Sequence, residues 1–135
     1  MYIFVYGTLR QKGQNHWLLD YETYVGLFKT KHKYYMICPK SKTFPYCSTQ
    51  NIASPETEPT EITGELYDIS PQTLKKLDAL EGHPTHYTRK TIELENNILT
   101  DMYLLENNSV VQELRSSDRF IPIPQGDWMK FMDST

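Results

Sequence analysis

Apolar residues along this chain follow two rhythms. Tyr2-Ile3-Phe4-Val5-Tyr6 is an unbroken apolar and aromatic run, which predicts a strand covered on both faces. Gly7-Thr8 then turns the chain, and Asn15 can cap a short helix through His16-Trp17-Leu18-Leu19. Strand-like patterning returns from Tyr24 to Cys38, and again from Ile62 to Ile69. Two more strands, near 87–95 and 98–106, meet across Asn96-Asn97. That pair suits a two-residue hairpin turn, because asparagine tolerates positive φ.

The helical rhythm is clearest over 70–81. Ser70 can cap the N-terminus, Pro71 fits the first turn, and Gly82 suits the stop. Leu74 and Leu77 share a face, and at about 100° per residue Glu81 falls within roughly 20° of Leu74 and 40° of Leu77. A carboxylate therefore sits on the apolar stripe, at a helix end whose dipole disfavours negative charge.

Residues 39–60 are richest in Pro, Ser and Thr, and Ser54-Pro55-Glu56-Thr57-Glu58-Pro59 predicts an exposed loop. Neither flank is large enough to fold alone, so residues 1–135 read as one domain. Asn107-Asn108-Ser109 predicts a turn. Ser116-Ser117-Asp118-Arg119 and the Pro122/Pro124 pair predict an irregular region ending in a short helical turn near Trp128-Met129. Many strands and few helices predict an α+β fold: a small mixed β-barrel, its edges protected by curling, with a few flanking short helices.

Composition narrows the function classes. Of 135 residues, 39% are hydrophobic and 13% aromatic, which favours a folded globule over a disordered chain. A net charge of −3 gives no general attraction to nucleic acid. The basic string Lys29-Thr30-Lys31-His32-Lys33 reads as the polar face of a strand or its end. No apolar run approaches the ~20 residues of a membrane span. The N-terminal run lacks a basic leader and reads as a first strand, not a signal peptide. Cys38 and Cys47 are too few for a disulfide framework and read as reduced thiols of a cytoplasmic protein.

Two features invite chemistry. Glu81 either twists out to solvent, pairing with Arg89 or a lysine, or stays buried with a raised pKa as a proton acceptor near neutral pH. Tyr6-Gly7-Thr8-Leu9 is either an ordinary turn or a place where glycine lets a small polar ligand approach the backbone. His83 and His86 flank Pro84 without a third metal ligand, and no nucleophile elbow or phosphate loop occurs.

Phe4-Val5-Tyr6-Gly7-Thr8-Leu9, Gly64-Glu65-Leu66-Tyr67, and Leu77-Asp78-Ala79-Leu80-Glu81 leading to Pro84, Tyr87 and Arg89 resemble the γ-glutamylcyclotransferase-like family. The Tyr-Gly-Thr-Leu wording, the short chain and Phe44-Pro45 look most like its γ-glutamylamine cyclotransferase branch. The resemblance runs from residue 2 to about 106; the last thirty residues carry none of it. It implies a small barrel with flanking helices, no metal or cofactor, and cyclisation of a γ-glutamyl amine to 5-oxoproline. It makes Glu81 the general acid/base, Tyr6, Gly7, Thr8 and Leu9 the loop that holds the glutamyl group, and Tyr87 a pocket residue. Arg89 is supportive on this reading, and loop 39–60 borders the pocket. The expected partner is a small molecule, with neither nucleic acid nor membrane, on a monomer or weak dimer. Two alternatives stand beside it: a non-catalytic binding module on the same fold, and a metal hydrolase using His83 and His86.

Overall fold

In the computed structural model, which describes residues 1–134, the first apolar run forms the strand around which the others are arranged. β1 (Tyr2–Val5) lies between β4 (Thr60–Asp68), antiparallel, and β6 (Leu99–Leu104), parallel. Its side chains and that of Tyr6, which follows it, alternate between two apolar clusters. Ile3 and Val5 join Leu77, Tyr87 and Tyr103, whereas Phe4 and Tyr6 join Met36, Leu66 and Met102. That double burial is why the sequence shows a continuous apolar run here and no alternation.

β2 (Thr23–Pro39) serves two partners in turn. Its first part pairs with β4, and its last residues pair with β3 (Tyr46–Ser48) on one side and β7 (Phe120–Pro122) on the other. A shift in register between Lys29 and Lys33 marks the change of course. There Thr30 is buried, its hydroxyl donating to the His32 carbonyl and accepting the Ile62 N–H, while the lysines around it stay in water. β5 (Thr88–Glu93) completes the order β3-β2-β4-β1-β6-β5. The ends of this path approach each other. The Leu105 N–H donates to the Cys47 carbonyl at 2.8 Å, and Thr30 bridges Leu94. The result is a curled, mixed half-barrel flanked by three short helices, α1 (Pro71–Glu81), α2 (Asn108–Arg115) and α3 (Trp128–Asp133).

α1 begins and ends where local chemistry says it should. The Ser70 hydroxyl accepts the Thr73 N–H, Pro71 occupies the first turn, and Gly82 closes the helix at φ 66°. Elsewhere the structure corrects the sequence reading. Asn107-Asn108-Ser109 is not a turn but a helix start: the Asn107 side chain caps α2, which buries Val111 and Leu114. Cap residues and turn residues are the same residue types, so the two were not separable by composition. β3 lies inside the segment read as loop, and β7 inside the region read as irregular. Each spans three residues, too few for any alternation to show. The hairpin loop is Glu95-Asn96-Asn97, with only Asn97 at positive φ, so three residues turn the chain instead of two. Asn15 makes no cap for the 3-10 turn His16–Leu19 and is used elsewhere.

Cys38 and Cys47 are buried and unpaired. Burial pushes the Cys38 thiol up to about 11 and the Cys47 thiol well above its ordinary value, which keeps both protonated and inert. Among the described residues no helix is long and apolar enough to cross a membrane.

Candidate active site

A cavity of about 280 Å³ opens where the end of α1, the exit of β1 and the start of β3 converge. Tyr6, Gly7, Thr8, Leu9, Glu81 and Tyr87, singled out from the sequence, all line it. Gln14, Asn15, Phe44, Pro45, Tyr46, His86 and Tyr103 line it too.

Glu81 is the last residue of α1. The chain doubles back at once: the His86 N–H donates to the Gly82 carbonyl at 2.8 Å, and the Tyr87 N–H to the Glu81 carbonyl at 3.2 Å. Gly82 makes this possible, since its left-handed φ suits glycine best and a Cβ there would press on His86 at 3.0 Å. Glu81 and Tyr87 thereby face one cavity. Among the described residues no donor reaches the Glu81 carboxylate, and burial pushes its carboxyl up to about 7. Tyr6, Tyr46, Tyr87 and Tyr103 surround it. Burial is the main reason these phenols ionise less readily than usual, and the Glu81 charge adds to it in each.

The Gly7–Leu9 loop is held from within. The Gly7 carbonyl accepts the Arg10 N–H at 3.0 Å and the Thr8 carbonyl the Asn15 N–H at 2.9 Å; the Leu9 carbonyl lies 2.9 Å from His16 Nδ1. Asn15 Nδ2 also donates to Thr8 Oγ1, which is the use to which that side chain is put. No protein acceptor among the described residues takes the N–H groups of Gly7, Thr8 and Leu9. The loop has its acceptors engaged and its donors spare, a polarity suited to an anion. Gly7 itself has a different reason from the one its sequence context suggested. A Cβ there would lie 2.7 Å from Pro45 Cγ, so the proline ring, not open space for a ligand, demands glycine.

Behind the loop runs an ionic anchor that the sequence did not announce. Arg10 is buried and donates to Glu65 at 3.1 Å and to Asp127 at 3.0 Å. Glu65 also accepts from the Gln11 N–H and the Tyr67 hydroxyl. Arg10 follows the quoted motif directly, but nothing local said that its partners lie 55 and 117 residues away.

Arg89 pairs with Asp78 at 3.0 Å and Asp101 at 2.6 Å, not with Glu81. Tyr103 adds a 2.6 Å hydrogen bond to Asp78, and Tyr6 donates to the Tyr103 carbonyl at 2.8 Å. His83 Nδ1 accepts the Arg89 N–H, and His86 packs edge-on against Tyr87 with ring centres 5.0 Å apart. Among the described residues no group of three or more His, Cys, Asp or Glu side chains is placed to hold a metal.

Loop 39–60 does reach the cavity, through Phe44, Pro45 and Tyr46. Phe44-Pro45-Tyr46 is an apolar and aromatic triplet within a polar segment, and that contrast was the available signal for Tyr46.

The gamma-glutamyl cyclotransferase, AIG2-like family model matches residues 3–130. The Methanocaldococcus jannaschii protein named "Putative gamma-glutamylcyclotransferase MJ1514" is 38% identical over 94 residues, covering 69% of this chain and 71% of its own. The Drosophila melanogaster "Putative gamma-glutamylcyclotransferase CG2811" is 35% identical over 114 residues, covering 78% of this chain and 69% of its own. Among solved structures, uncharacterized protein PH0828 from Pyrococcus horikoshii superposes with a TM-score of 0.71 at 18% identity, over 99% of this chain and 94% of its own; that is a likeness of fold. The match spans the helix that ends in Glu81, the loop facing it and the sheet that carries both, and on it this chain belongs to the gamma-glutamyl cyclotransferase, AIG2-like family.

Proposed function

We propose that this protein cyclises the γ-glutamyl group of a γ-glutamyl amine, γ-glutamyl-ε-lysine for example, to 5-oxoproline with release of the free amine. One observation carries the reading: a carboxyl raised to about 7, with no partner among the described residues, shares a small cavity with a loop whose backbone donors are spare among them too.

The substrate α-carboxylate docks on the N–H groups of the Gly7–Leu9 loop. The α-nitrogen arrives as ammonium, with a pKa of about 8, and is not nucleophilic until it loses a proton. Glu81 takes that proton, a transfer near balance because its own pKa is about 7. The freed lone pair attacks the γ-carbonyl carbon, a new carbon–nitrogen bond closes the five-membered ring, and the tetrahedral oxyanion collapses by breaking the bond to the amine. Glu81 hands its proton to the leaving nitrogen. The ring nitrogen sheds one more, so the released amine leaves as ammonium and Glu81 returns to carboxylate. Nucleophile and electrophile share one molecule, so the enzyme gains chiefly by holding the folded-back conformer.

Incubation with γ-glutamyl-ε-lysine and a panel of γ-glutamyl amines, followed by detection of 5-oxoproline, tests this. Release of 5-oxoproline by the wild type, with Glu81→Gln folded but inactive, is the expected result. Ligand binding without product would instead make the fold a binding module, and Glu81→Gln turning over normally would remove that residue from the mechanism.

A further inference from the structure

One wall of the cavity, running on from the Pro45 ring that packs against Gly7, is built of rings. Tyr46 is its hub: its ring centre lies 5.2 Å from Phe44, 5.8 Å from Tyr87 and 6.2 Å from His86. The Tyr87 ring is stacked on it at 29°, whereas Phe44 and His86 stand edge-on. Phe44 and His86 are the exposed members, at the mouth, and Tyr87 is the buried one.

Charge is distributed just as unevenly. Among the described residues no lysine or arginine lines the cavity, and Glu81 is the one carboxylate there. Arg10 and Arg89 are committed elsewhere, Arg10 to Glu65 and Asp127, Arg89 to Asp78 and Asp101. The spare loop donors satisfy one carboxylate, that of the glutamyl group. A second carboxylate close to the leaving nitrogen, as in a γ-glutamyl amino acid, would be partly desolvated against aromatic faces with no lysine or arginine beside it.

We infer that the Phe44, Tyr46, His86 and Tyr87 wall is the leaving-group subsite, and that it takes an aryl-alkyl amine in preference to an amino acid. A flat amine gains ring–ring contact with Tyr46 beyond simple area burial, which a methylene chain does not. This rests on the γ-glutamyl reading of the same cavity. The volume of about 280 Å³ agrees with a single ring as the limit, being at the small end for ligand sites.

The test compares 5-oxoproline release from γ-glutamyl-benzylamide, γ-glutamyl-butylamide and γ-glutamyl-glycine. The expected order of kcat/KM is benzyl, butyl, glycine, with about ten-fold between the extremes. Tyr46→Leu brings the benzyl-to-butyl ratio toward one, mainly through KM, and Phe44→Arg raises the glycine substrate relative to both. A glycine substrate equal to the benzylamide, or a benzyl preference untouched by Tyr46→Leu, overturns the inference while leaving the cyclisation standing. Binding of the same three compounds to Glu81→Gln, measured by calorimetry, separates the two claims. If the wild type releases no 5-oxoproline from any of them, cyclisation fails; the subsite then stands if benzylamide binds tightest and falls if all three bind alike.

Discussion

Asp78 and Glu81 stand one turn apart on α1, and the fold treats them in opposite ways. Burial works against the charge of Asp78, but hydrogen bonds from Arg89 and Tyr103 outweigh it and hold its carboxyl below the ordinary value. Glu81 feels the same kind of burial with no donor to offset it, and its carboxyl rises to about 7. One carboxylate is fixed in its charged form and ties α1 to β5 and β6 through Arg89 and Tyr103. The other can gain or lose a proton at neutral pH. Glu65, behind the Gly7–Leu9 loop, is 5% exposed and has its oxygens engaged by Arg10, Gln11 and Tyr67. The difference teaches that burial alone does not raise a carboxylate's pKa; burial without partners does.

The sharpest way to break this comparison is Glu81→Gln. Turnover should fall about 10³-fold, while thermal stability stays level or rises, since no partner is left unsatisfied. A loss of stability as large as that of Asp78→Asn would erase the distinction between the two sites. Next in size is the pH profile. With Glu81 acting as base, kcat/KM should drop about ten-fold per unit below pH 7, so a profile flat from 5 to 8 would detach the raised carboxyl from the chemistry.

The engaged side predicts stability effects instead. Arg10→Met leaves Glu65 and Asp127 buried without their counter-charge and should cost about 3–5 kcal/mol, read by denaturant unfolding. Arg89→Met removes donors from Asp78 and Asp101 in a more solvated setting and should cost about 1–3 kcal/mol. The last effect is a difference of sign with pH. Between 4.5 and about 7 the folded state holds a proton on Glu81 that the unfolded chain releases, so this group's contribution to stability declines as pH rises through that window. Asp78, depressed from 3.8, contributes stability that is present above that value and lost as pH falls. The melting temperature of Glu81→Gln relative to wild type should climb between pH 4.5 and 7, on the order of ten degrees.

Much of the scaffold of this site was legible before any coordinates. The unbroken run Tyr2–Tyr6 announced a strand buried on both faces, and the two clusters on either side of β1 are its cause. Ser70, Pro71 and Gly82 marked both ends of α1, because caps act through neighbours three or four residues away. The position of Glu81 beside Leu74 and Leu77 followed from the helical repeat. The elements that stayed hidden are the short ones, β3 and β7, and α2, whose cap residues imitate a turn. Tyr46 was hidden with them, since β3 exists only by virtue of pairing with β2.

Sequence by itself determined which way Glu81 points around its helix axis, because 3.6 residues per turn is a local rule. Tertiary structure alone decided what the carboxylate meets there. Arg89, the natural suitor in the sequence, is taken by Asp78 and Asp101, and Arg10 by Glu65 and Asp127. A charge's partner is set by distance in space and a helix face by distance along the chain, and only the first of these needed the fold.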